Sequence, residues 1–148
     1  MKSLFDSEPR AEIQHRLEQF RPDLPHLWGK MSAAEVICHL TDGMRITFGD
    51  YADYPMPKGF FTSAFAKWMI IDSPMPWPKG TRSMPQFFLT KPGDFAQDLK
   101  TLLHYVERFE KGPDQKFGFS PGFGELTPAQ WSRLSYRHCD HHLRQFGL

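Results

Sequence analysis

The final stretch of the chain, Thr127 to Leu148 (TPAQWSRLSYRHCDHHLRQFGL), constrains the fold more than any other. It reads as a helix with marked ends. Thr127 suits the N-cap, Pro128 the first helical position, and Gln130 completes a T-x-x-Q capping box. Gly147 closes the helix. At about 100° per residue, Trp131, Leu134, Ser135, His138, His142 and Phe146 fall on one side. Arg133, Arg137, Asp140 and Arg144 fall on the other. Two histidines therefore sit one turn apart in the apolar stripe. A buried imidazole needs partners for both of its nitrogens, and two stacked imidazoles do not easily satisfy each other. A divalent metal satisfies both, because the i, i+4 spacing brings the rings to one point. HxxxH on a helix is therefore a half-site for zinc or nickel. Core or surface histidines are the bland alternative, and spacing alone leaves a His138/His141 arrangement open as well.

Three earlier segments carry the same helical period. Residues 8–20 place Ile13, Leu17 and Phe20 on one face, with Asp6 or Ser7 as cap and Pro22 and Pro25 as terminators. Ser32 and Glu35 form a capping box that opens a second helix, running to about Phe48. Val36, Ile37, Leu40, Met44 and Phe48 make its buried face, and His39 stands at the edge of that face. Gly43, one turn later, weakens the helix by up to about 1 kcal/mol relative to alanine. A glycine there points to close approach of another element or a ligand. Asp42 is a candidate to orient His39. Residues 93–112 form the third long helix, with Asp94 as cap and Phe95, Leu99, Leu102, Leu103, Val106 and Phe109 in register. His15, His26 and His104 read as surface or loop residues.

Between the second and third long helices the chain changes character. Seven of its 13 prolines fall in residues 49–92. A connection of that length is functional or disordered, and Phe60, Phe61, Trp68, Trp77, Phe87 and Phe88 argue against disorder. It reads as a packed arm over one end of the helices, able to wall a pocket, with a short helix at about Thr62–Ile71. Lys79-Gly80-Thr81-Arg82 lacks the glycines of a phosphate loop. Residues 113–126 are glycine- and aromatic-rich, so Phe117, Phe119 and Phe123 are expected beside the start of the last helix.

Composition removes several classes. A chain of 148 residues with 40% hydrophobic content suits one domain spanning residues 1–148, and a net charge of +1 gives no nucleic-acid footprint. Arg133, Arg137 and Arg144 make a basic stripe better explained as a solvated face or dimer contact. No apolar run of about 18 residues predicts a membrane span, and the N-terminus lacks a secretory h-region, so a cytoplasmic location is expected. Two cysteines, Cys38 and Cys139, make no disulfide framework and read as reduced, partly buried thiols.

Four amphipathic helices with a long crossover predict an all-α four-helix bundle. Bundles build metal sites from inward residues on facing helices. His39 from the second helix, with His138 and His142 from the last, would make a three-nitrogen face with an open position, the pattern of a catalytic site. At "LWGKMSAAEVICHLTDGMR" and "FGELTPAQWSRLSYRHCDHHLRQFG" the chain resembles the DinB/YfiT-like superfamily of metal-dependent four-helix proteins. It looks closest to an uncharacterised branch with an "RHxDHHLRQFG" ending. The resemblance covers nearly the full length. It implies an up-down-down-up bundle, frequent homodimers, and a metal triad of His39, His138 and His142. The metal would be zinc or nickel in the first place, with manganese or iron as alternatives.

The resemblance also implies thiol chemistry: relatives conjugate low-molecular-weight thiols to electrophiles or isomerise substrates with them. The expected function is metal-assisted activation of a thiol, or of water in a hydrolase, against a small-molecule electrophile under the arm. Glu35 is the best candidate for a separate base, although the capping box claims it. Tyr136, Arg45 and Asp140 are polar neighbours in sequence with no assigned place. The competing classes are a non-catalytic metal- or ligand-binding module and a scaffold with hydrogen-bonded core histidines. Nucleic-acid and membrane partners are not expected.

Overall fold

The computed structural model describes residues 1–51, 54–81 and 83–148. Arg82, the last residue of the rejected phosphate-loop tetrapeptide, lies outside them. Among the described residues the chain is all helical, with five α-helices and no named strand: α1 (Ser7–Leu17), α2 (Ala33–Thr47), α3 (Ala64–Lys67), α4 (Phe95–Glu107) and α5 (Pro128–Gln145). The short α3 runs into a π-helical turn, Trp68–Asp72. That pair occupies the place of the short helix expected inside the connection.

The ends of the long helices follow local chemistry. In α2 the Ser32 hydroxyl accepts from the Glu35 amide while Glu35 takes the Ser32 amide, and in α5 Thr127 and Gln130 make the same reciprocal box. Each box satisfies two amide groups that a helix start would otherwise leave bare. Asp94 caps α4 through the Gln97 amide. Asp6 holds the cap position of α1 but makes no side-chain cap bond. Gly147 leaves α5 in the left-handed region at φ 75°, the conformation that glycine adopts without penalty.

Helix α1 packs on α4 and α5, and α2 packs on α4 and α5. The core between them includes Leu4, Ile13, Leu17, Ile37, Leu40, Leu102, Val106, Phe109 and Leu143, all fully buried. The α5 stripe is rotated from the expected one. Tyr136, Cys139 and Leu143 lie inside and Leu134 is only half-buried. The reason is that α5 is sandwiched between α1 and α2, so two faces are covered and His138 falls at their edge.

The glycine-rich loop before α5 ties the helices together. Phe117 stacks on Phe48 and meets Phe5 and Phe109, while Phe119 turns away to the Tyr54 ring. The Gly118 amide donates to the Thr47 carbonyl at 2.9 Å and its carbonyl accepts the Trp131 indole N–H at 3.2 Å. A Cβ at Gly118 would stand 2.4 Å from the Ile46 carbonyl oxygen and 2.9 Å from Gly49 Cα. Those are backbone atoms with no rotamer to escape into. Gly118→Ala should therefore cost about 1–3 kcal/mol, as overpacking of a tight site does. Thermal or urea unfolding reads this, and an unchanged midpoint would contradict the close approach.

Candidate metal centre

The three expected histidines converge. His39 on α2 and His138 and His142 on α5 offer ring nitrogens that all lie within 4.8 Å of one another. His39 Nε2 is 2.9 Å from His138 Nε2, and the ring centroids of all three pairs are 4.8–5.0 Å apart. His39 and His142 are buried, and His138 is partly open. Gly43 makes the convergence sterically feasible. A Cβ there would meet His138 Cε1 and Nδ1 at 3.2 Å. The missing side chain thus makes room for the ring arriving from the facing helix.

Hydrogen bonds fix which nitrogen of two rings carries the hydrogen. His39 Nδ1 lies 3.1 Å from the Phe87 carbonyl oxygen. A carbonyl only accepts, so Nδ1 donates and Nε2 keeps its lone pair. His142 Nδ1 lies 2.7 Å from Gln145 Oε1, and Gln145 Nε2 donates to the Trp28 carbonyl at 2.9 Å. The Trp28 carbonyl settles the amide orientation, so His142 Nδ1 also donates and its Nε2 is a free donor atom. Two inward lone pairs thus face the His138 ring.

Burial is unfavourable for imidazolium here. It pushes His39 below the ordinary histidine range, and pushes His142 down to about 3, with the His39 ring adding to the effect. Close packing, then His39 and His142, hold His138 well below that range. All three are therefore neutral at physiological pH, the form that ligates metal.

The donor set fits a divalent borderline cation. It is all imidazole nitrogen, which suits zinc, nickel or iron. Nitrogens about 2.0–2.1 Å from a tetrahedral zinc lie about 3.3 Å apart. The His39–His138 pair at 2.9 Å need open only slightly, with the third ring closing in. A cation would take up the Nε2 lone pairs of His39 and His142 and replace the hydrogen bond between His39 and His138.

The other polar candidates lie elsewhere. Asp42 does not touch His39. Its buried carboxylate accepts from the Leu89 and Thr90 amides at 2.7 and 2.8 Å and from the Thr90 hydroxyl. It anchors the segment that presents the Phe87 carbonyl, and its charge acts on His39 through space without contact. Glu35 is consumed by its capping box. Arg45 binds Tyr51 and Thr90. Tyr136 donates to Glu12, and Asp140 pairs with Arg16 and Arg144, so both face α1. His141 is the exception: it lies against Trp28 and Trp77, with centroids at 4.8 and 5.7 Å, and its ring is 5.3 Å from His142, at the border of the cluster. His15, His26 and His104 are exposed, as expected.

Both cysteines are free and buried; burial raises the Cys38 thiol to about 11 and the Cys139 thiol to about 12. Neither is a ready nucleophile. Sequence reasoning passed over Gln145, Trp28 and the Phe87 carbonyl. The last two act through backbone oxygens, which side-chain patterns do not reveal.

The basic stripe on α5 is a solvated face only at Arg144, which is exposed. Arg133 pairs with Asp72 at 2.6 Å, and Arg137 donates to the Ser73 and Met75 carbonyls and lies over the Trp77 ring. The stripe holds the connection against α5. Trp77 and Phe87 lie near His138, with centroids at 6.2 and 5.7 Å, and Phe88 lies 5.2 Å from His39. Phe60, Phe61 and Trp68 instead expose more than half of their surface, packing on one another and on Phe65. They do not wall the histidines.

Helical architecture and three-histidine geometry together define an all-helical protein with a potential metal centre. The chain belongs to the family described as "Protein of unknown function (DUF1569)", whose model matches residues 9–147. No functionally curated protein and no solved structure matches it. Among the described residues, no helix is long and apolar enough to cross a membrane.

The neutral cluster has a consequence for metal-free protein. His39, His138 and His142 bind protons less readily folded than unfolded. Their contribution to stability is therefore complete above the unfolded value of about 6.5 and is lost as pH falls toward 3. Chemical denaturation between pH 7 and 5 should show falling stability, and His142→Gln should flatten the slope. A flat wild-type profile would contradict the buried neutral cluster.

Proposed function

We propose that this chain is a DinB-like four-helix-bundle metalloenzyme. In it His39, His138 and His142 hold a divalent cation, zinc or nickel in the first place, for attack by a thiol or water on a small electrophile. The observation that carries the reading is the pair of locked imidazoles. His39 and His142 each spend Nδ1 on a fixed acceptor and turn Nε2 to a common point shared with His138. The four long helices, with α1 and α2 each against α4 and α5, support the bundle. The family membership leaves the chemistry open.

When bound, a divalent cation supplies Lewis acidity that lowers the pKa of a thiol or water toward neutrality. The residues of this chain do the rest. The three imidazoles would supply the nitrogens that hold the cation, and the cluster is partly open on its His138 side. Phe87, Phe88 and Trp77 bring apolar rings beside the cluster. Asp42 holds residues 89 and 90 so that Phe88 and the Phe87 carbonyl stay in register with His39. No acid or base among Glu35, Arg45, Tyr136 and Asp140 reaches the histidines. His141, whose ring lies 5.3 Å from His142, is the titratable side chain that borders the three histidines.

The distance of those four groups from the cluster favours a second reading, a protein that binds metal or a small ligand without turnover. Two measurements separate the readings. Purified protein should carry or take up about one equivalent of zinc or nickel per chain, and should release it at acid pH, as the ligand histidines gain protons. His138→Ala, which removes the ligand with no anchoring acceptor of its own, should abolish stoichiometric uptake. Metal-loaded protein should then consume low-molecular-weight thiols with a panel of electrophiles faster than the free ion does. Stoichiometric metal without such turnover selects the binding protein; no metal uptake overturns both readings.

A further inference from the structure

Gln145 sits in the last turn of α5 and is 1% exposed. A buried primary amide is costly to desolvate unless its oxygen and nitrogen both find partners. Here both do. Oε1 accepts from His142 Nδ1 at 2.7 Å and Nε2 donates to the Trp28 carbonyl at 2.9 Å. Methionine or leucine would fill the same space without polar atoms to satisfy, so packing alone does not call for an amide. The Trp28 side of the contact is built with equal care. The Leu27 amide donates to the Gln145 backbone carbonyl at 2.7 Å, which ties residues 27 and 28 to the end of α5 a second time. Gly29 then turns the chain away at φ 87°, and a Cβ there would come within 2.4 Å of Gln145 Nε2. Only glycine leaves the amide in place.

We propose that Gln145 is a positioning residue for the metal centre. Anchored by the Trp28 carbonyl and the Gly29 turn, it fixes His142 as the Nδ1–H tautomer and aims Nε2 at His39 and His138. His39 receives the same service from the Phe87 carbonyl. Among the described residues His138 has no equivalent anchor, and its Nδ1 side abuts Gly43. The centre therefore has two ligands oriented from opposite loops and one that adjusts. An acceptor on the far nitrogen also makes the ligating nitrogen more electron-rich, so Gln145 contributes to affinity as well as to direction. The affinity part rests on reading the cluster as a metal site; the tautomer part does not.

The test pairs imidazole nitrogen NMR of metal-free protein with zinc competition against a chelator, on wild type, Gln145→Met and Gln145→Glu. Wild type should show a single Nδ1–H tautomer for His142. Q145M should show a mixture and bind zinc about 10–100-fold more weakly, the usual loss when such an outer partner is removed. Q145E keeps an acceptor on the imidazole and should recover the single tautomer. An Nε2–H tautomer in wild type, or a Q145M variant with wild-type tautomer and zinc affinity, overturns the proposal. Should wild type bind no zinc, the metal reading fails, and the tautomer comparison alone decides the role of Gln145. If Q145M does not fold, Gly29→Ala displaces the amide while keeping Gln145, and the wild-type spectrum still decides the tautomer.

Discussion

Three neutral imidazoles share one enclosed space, and the structure around them is an answer to the polar valence they bring. Each ring presents one donor and one acceptor. Burial forbids leaving these unpaired and also forbids protonation, which pushes His142 down to about 3. The chain assigns an acceptor to the outer nitrogen of two rings, from the Phe87 carbonyl and from Gln145. The inner nitrogens are left facing each other. Only one hydrogen can lie between His39 and His138, and His142 Nε2 has no hydrogen-bond partner among the described residues. A cluster built only for stability would replace the rings with leucine. The residual demand at its centre is the physical reason for reading it as a cation site.

That demand reaches outward to two loops. One is residues 27–29, joined to α5 by two hydrogen bonds through Gln145. The other is residues 85–90, joined to α2 by the buried Asp42 carboxylate. The Asp42 bonds are charge-assisted and among the stronger ones available to a protein. The loop at 85–90 therefore sits against α2 with more certainty than its proline and aromatic content would suggest. Both loops also bring aromatic rings: Trp28 to His141, and Phe87 and Phe88 to His39. The segment that anchors His39 thus also brings aromatic rings beside it.

Much of this was legible in the amino-acid order, for identifiable reasons. Capping boxes at Ser32 and Thr127 are local chemistry and appear where the sequence placed them. The convergence of His39, His138 and His142 followed from helical spacing once the two helices were taken to face each other. Gly43 marked the point of closest approach, although it makes room for His138 and not His39. Asp42 was read one step too short. It lies a turn from His39, yet two backbone amides outcompete a single imidazole for its carboxylate. The rotation of the α5 stripe was hidden for another reason: Tyr136 and Cys139 are buried only because α1 covers a second face. Gln145 was missed because its role depends on a carbonyl 117 residues earlier in the chain, and no pattern of side chains encodes a backbone oxygen.

The arginines of α5 show how the connection between α2 and α4 is retained. Taken along the helix alone, Arg133 and Arg137 face outward and suggest solvent. The structure instead brings Asp72, Ser73, Met75 and Trp77 up to them. Residues 73 and 75 flank prolines at 74 and 76, so the chain is extended there and its carbonyls project without partners from any ladder. A guanidinium supplies several donors in a fixed plane and can take two such carbonyls at once. The same residue then lays its flat face over Trp77, which places that ring beside His138 and His141. The polar side of α5 thus determines what covers its histidine side, and the single helix contributes both two candidate ligands and the fastening of the cover above them.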